Sequence, residues 1–136
     1  MEVMRLSDGS PRARLAFALD LVALTLFVLA GMRNHRTGSQ LDVFLRNAVP
    51  VVVAWVGFSL IWRTYRPVSL ARLALTWVTA VPAGLLVRTW WVGSPTGGRI
   101  AVFMGVGMAF TAMFLLIGRG LGAMLSRRSA ESRVVP

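Results

Sequence analysis

Long apolar runs, broken only by short clusters rich in arginine, leave this chain few folds to adopt. The runs cover residues 15–32, 48–62, 73–87 and 100 to about 125. Polar residues gather between the runs instead of recurring at helical or strand period, so no half-buried face for a soluble core is on offer. A backbone in hydrocarbon must satisfy its own hydrogen bonds, and runs of this length do so as helices. The sequence therefore predicts an all-α integral membrane bundle of four transmembrane helices, antiparallel and up-down, at about 15–32, 47–65, 70–92 and 99–125. Short polar tails, 1–14 and 126–136, flank it, the second basic and expected to be disordered.

Composition supports this reading. Of 136 residues 56% are hydrophobic and the mean hydropathy is +0.67, too apolar for a soluble globule of this size. Fifteen arginines against five acids give a net charge of +10. The arginines bracket the apolar runs, as guanidinium anchors in a phosphate layer do. No folded polar face is left to carry a basic groove, so nucleic acid is not an expected partner and the lipid bilayer is. Cysteine is absent, which removes disulfides, thiolate metal sites and a Cys nucleophile. His35 is the only histidine, so neither a bis-histidine haem nor a His-rich metal site fits in one protomer. No metal or cofactor is expected.

Along the chain, the first run contains a single charge, Asp20. A secretory signal is the competing interpretation of that run, and an acid inside it argues against one. The loop at 33–47 carries Arg33, His35 and Arg36, with His35 expected to be solvated or at headgroup level. Its last part, with Val43 and Phe44, lies at the interface as the start of the second helix. The second run has 15 residues, about 22 Å of a core roughly 30 Å thick, so either Arg63 and Asn47 snorkel or its ends continue helical into Phe44 and Tyr65. Pro50 then falls near a helix start, where its missing N–H is harmless. The link around Tyr65, Arg66 and Pro67 is short enough to demand an antiparallel neighbour. Pro82 should kink the third helix and free a carbonyl for Thr79 or a neighbour. The Gly-Ser-Pro-Thr-Gly-Gly stretch at 93–98 is the clearest turn. Ten arginines fall on the side of the termini against five on the other, which predicts a multi-pass chain with both termini cytoplasmic.

Asp20 is the first candidate for function. It lies six residues beyond Arg14, about 9 Å into the bilayer, where an unpaired carboxylate costs about 2.5–3.5 kcal/mol. Arg119, eight residues before Arg127, reaches a similar depth on the fourth helix and is the predicted partner. Arg72 is the alternative. Such a pair either locks helix one onto helix four or marks a protonatable carboxylate beside a cavity.

Small residues recur on the fourth run at Ala101, Gly105 and Ala109, then Gly118 and Gly122, spacing that lets helix backbones approach in lipid. Trp55, Trp62, Trp77, Trp90 and Trp91 mostly fall near run ends, which suggests belt anchoring. Trp62, Arg88, Trp90 and Trp91 are the interface anchors singled out.

Leu19-Asp20-Leu21, then Gly31 and His35, then Phe44-Leu45-Arg46-Asn47-Ala48-Val49-Pro50 resemble a family of small bacterial four-helix membrane proteins catalogued as a domain of unknown function, over roughly 14–125. The resemblance implies a four-helix membrane fold and brings no activity. The small multidrug exporters are a weaker likeness. They too place an acid in a first short helix, but the acid here is Asp rather than Glu, lies nearer the boundary, and lacks the surrounding motif.

Two functional expectations follow. The first is a non-enzymatic accessory or scaffold subunit that acts by helix packing, with itself or within a larger membrane complex. The second is a homo-oligomeric proton- or ion-coupled transporter switching on Asp20. An enzyme is disfavoured, since extramembrane segments of at most about 15 residues leave little room for a site.

Overall fold

The computed structural model describes residues 10–32 and 39–131, with side chains as far as 128. The expected first loop with Arg33, His35 and Arg36 lies outside the described residues, as do 1–9 and 132–136. Four helices follow one another: α1 (Pro11–Met32), α2 (Gln40–Ile61), α3 (Leu70–Val92) and α4 (Arg99–Glu131). All four are long and apolar enough to cross a membrane. No strand occurs among the described residues beyond an isolated bridge between Tyr65 and Val68.

Local chemistry sets where each helix begins and ends, and three bounds differ from expectation. Helix α1 starts at Pro11 rather than 15 because Ser10 caps it, its hydroxyl accepting from the Ala13 N–H at 3.1 Å, while proline suits the first helical position. Helix α2 was expected at 47–65 and runs Gln40–Ile61. Arg46 pairs with Asp42 one turn away at 3.0 Å, so the polar segment ahead of the apolar run is helical too. At the other end Arg63 adopts φ 50°, a left-handed conformation that breaks the helix before Tyr65. Pro50 consequently sits inside α2 instead of near its start. The 22 residues of α2 span about 33 Å at 1.5 Å each, so the helix is not short for a bilayer.

Helix α3 has the expected bounds. Ser69 caps its start by accepting from Arg72 N–H at 3.3 Å. Gly93 ends it at φ 71°, donating to the Thr89 carbonyl, the conformation that glycine alone takes without strain. Pro82 lies within α3. Thr79 does not serve a carbonyl freed there, since its hydroxyl donates to the carbonyls of Leu75 and Thr76. Helix α4 continues to Glu131, past the expected 125. No glycine or proline interrupts 123–131, so the helix persists where a disordered tail was expected.

In space α1 packs on α2 and α4, and α3 packs on α2 and α4, closing a four-membered ring. Leu24, Val51, Trp55, Val81, Leu85 and Leu115 fill its interior. The outer surface is apolar as well, with residues such as Val53, Leu86, Val102 and Leu116 exposed, as a lipid-facing wall requires. The tightest crossing joins α2 and α3. A Cβ built on Gly84 would stand 2.7 Å from Val51 Cα and 3.1 Å from the Pro50 carbonyl oxygen, so only glycine allows this approach.

The small residues of α4 divide between two faces. Gly118 lies on the Leu19 backbone and Gly122 under the Leu19 side chain, so both serve the contact with α1. Ala101, Gly105 and Ala109 are exposed, and nothing lies within 4 Å of a Cβ placed on Gly105. Gly107, outside the expected row, meets Leu85 of α3.

Candidate functional site

Helical geometry puts Ala13, Ala16 and Asp20 on one face of α1, at spacings of three and four residues. The two alanines are small, and the space they leave is filled by Tyr65, which arrives from the link between α2 and α3 and is fully buried against them. The Phe17 ring meets the Tyr65 ring edge-on at 5.3 Å and 84°, a favoured aromatic geometry.

Tyr65 is aimed by the turn beneath it. The Thr64 N–H donates to the Ser59 carbonyl at 3.1 Å, and the Thr64 and Thr76 hydroxyls share a hydrogen bond. Arg72, the alternative partner for Asp20, serves this turn instead. Its NH1 donates to the carbonyls of Arg63, at 3.0 Å, and of Arg66.

Asp20 itself has no exposed surface. Arg119 reaches it from α4 with a two-point fork, Nε to Oδ1 at 2.9 Å and NH2 to Oδ2 at 2.6 Å. The Tyr65 hydroxyl donates to Oδ2 at 2.7 Å, and in turn accepts from Trp55 Nε1 at 3.0 Å. The Arg119 guanidinium carbon also stands 5.6 Å from the centre of the Tyr65 ring, within cation–π range. Burial first, and then the negative Asp20, push the Tyr65 phenol above its ordinary range, so it remains a neutral donor.

The cluster thus links α1, α2, the α2–α3 turn and α4. Asp20 accepts three hydrogen bonds, two of them from the charged fork of Arg119 and one from Tyr65.

A second polar cluster lies toward the other end. Arg88 of α3 is half-buried. Its Nε donates to Asn47 Oδ1 at 2.8 Å, its NH1 donates to the Ser94 carbonyl, and its guanidinium carbon lies 5.0 Å over the Phe103 ring. A cavity of about 90 Å³ adjoins it, with Phe27 and Val51 in the wall. Arg88 is therefore a cross-helix contact and not simply an interface anchor. Among the other anchors, Trp62 donates to Thr79 of α3 at 3.0 Å. Trp90 and Trp91 face outward, Trp90 with 86% of its surface exposed.

Trp55 and Trp77 depart from the belt expectation. Trp55 is fully buried, and Trp77 donates to Thr111 of α4 at 3.1 Å. Sequence reasoning placed Tyr65 in the link and Trp55 among the tryptophans, and missed that both belong to the Asp20 cluster. The one available signal was that the chain's only tyrosine stands in a minimal link, where a small or turn-forming residue is usual.

No curated protein and no solved structure matches this chain. A family described as "Protein of unknown function (DUF3054)" matches residues 17–122. That stretch includes Asp20, Tyr65, Trp55 and Arg119, and since it covers most of the sequence, the chain belongs to the DUF3054 family.

Proposed function

We propose that this protein is a non-enzymatic subunit of a bacterial cytoplasmic membrane, with both termini in the cytoplasm, that acts as an accessory or scaffold through helix packing. The observation that carries the proposal is the closed coordination of Asp20. A carboxylate without exposed surface, held by Arg119 and Tyr65, suits a lock between the first and last helices better than a switching proton site. The outward row Ala101, Gly105 and Ala109 supports it, because such a row suits close approach by a further helix, from a second copy or a larger complex.

Purification from the native membrane in mild detergent, with identification of whatever co-purifies, is the test. A stoichiometric larger partner or a defined homo-oligomer is the expected result. A clean monomer in native lipid would remove the scaffold reading.

A homo-oligomeric ion-coupled transporter is the second reading, supported by a groove that reaches Arg119. Asp20→Asn separates the two. Under the packing reading assembly is lost, whereas under the transporter reading an intact oligomer loses proton-coupled flux in vesicles.

A further inference from the structure

On the side of the bundle where α1 begins and α4 ends, a groove of about 460 Å³ opens between these helices, next to the Asp20–Arg119 pair. Arg12, Arg119 and Arg127 line it, and Leu15, Leu19 and Val68 contribute apolar walls. No carboxylate lines it among the described residues. Arg12 and Arg127 are exposed and form no ion pair among the described residues.

Arg119 is the informative member. It commits Nε and NH2 to Asp20, while its NH1 has no hydrogen-bond partner among the described residues, and the side chain keeps 12% of its exposure. A guanidinium offers five N–H donors in a rigid planar fork, so one side can hold a carboxylate while the other meets a second oxyanion.

We propose that this groove binds the phosphate headgroup of an anionic phospholipid. The uncommitted side of Arg119 and the flanking Arg12 and Arg127 meet the phosphate. The first methylenes of the acyl chains lie on Leu15 and Leu19. Three cations beside apolar walls, two of them near the ends of spanning helices and Arg119 further in, match a phosphate that carries hydrocarbon. Free phosphate shares the anion chemistry but has nothing to place on the apolar walls. The headgroup would also hold Arg119 from the side opposite Asp20, so lipid binding and the α1–α4 lock reinforce one another.

The test uses the full chain in mild detergent, titrated with phosphatidylglycerol or phosphatidylcholine and read by native mass spectrometry. The expected result is preferential retention of phosphatidylglycerol. Arg12→Gln with Arg127→Gln should weaken that retention about 25-fold, at roughly fivefold per arginine, while Arg99→Gln, at the far end of α4, leaves it unchanged. Arg127→Gln alone should lose about fivefold and serves as the second variant if the double variant does not fold. Equal retention of the two lipids by the wild type, or undiminished phosphatidylglycerol on the variants, overturns the proposal. Displacement of the lipid by an equal concentration of inorganic phosphate overturns it too, by assigning the groove to free phosphate.

Discussion

Two arginines of this bundle, Arg119 and Arg88, meet the same problem of placing a permanent cation inside or beside hydrocarbon, and solve it differently. Arg119 faces a carboxylate and an aromatic hydroxyl in a cluster contributed by three helices and a turn. Arg88 has only neutral dipoles, the Asn47 amide and the Ser94 carbonyl, and the face of Phe103. Position explains the difference. Arg88 stands four residues from the end of α3, beside the turn that supplies Ser94. Arg119 stands eight residues before Arg127, the expected membrane-boundary residue of its helix, and an unpaired charge costs more with depth.

The sharpest way to break this contrast is to remove the anion. Asp20→Ala should destabilise the bundle by about 3 kcal/mol, because the largely buried Arg119 loses its carboxylate partner; unfolding in mixed micelles followed by circular dichroism measures it. Converting both Asp20 and Arg119 to Leu should recover most of that loss and can come out neutral. A double variant as unstable as the single one would show that Asp20 does more than neutralise Arg119.

Tyr65→Phe keeps the ring packing but removes the hydroxyl that donates to Asp20 and accepts from Trp55, and about 1–2 kcal/mol should be lost in the same assay. Gly84→Ala tests the middle of the molecule, which neither arginine touches. Its Cβ must displace the Val51 backbone, at an expected cost of about 1–3 kcal/mol. The smallest effect belongs to the neutral end. Asn47→Ala should cost about 0.6 kcal/mol, the usual worth of an interhelical hydrogen bond in lipid, and a loss as large as that of Asp20→Ala would erase the distinction between the two ends.

The four helices and their order were legible because hydrocarbon imposes one demand on every residue of a spanning segment, and apolar runs record it directly. Helix bounds were less legible. Gln40, Asp42 and Arg46 look like loop in a hydropathy reading, yet they form a helical turn tied by their own ion pair. Glycine positions were visible, but their facing was not. Gly118 and Gly122 turn to α1 and Gly105 turns outward, and only the rotation of α4 settles which.

Depth and the antiparallel order of the helices narrowed the partner of Asp20 to Arg119, with Arg72 as the alternative, because a charge in lipid has few places to go. Tyr65 and Trp55 could not be read in that way. An aromatic residue in a spanning protein is welcome at the interface and in the core alike, and the left-handed Arg63 that folds Tyr65 beneath α1 has no glycine to announce it.

The Asp20–Arg119 pair joins residues 99 positions apart, whereas α2 and α3 are tied by contacts between near neighbours, such as Trp62 with Thr79 and Thr64 with Thr76. Until α4 joins the bundle, Asp20 can draw on Tyr65 but not on Arg119. The last helix made is the one that finishes the first.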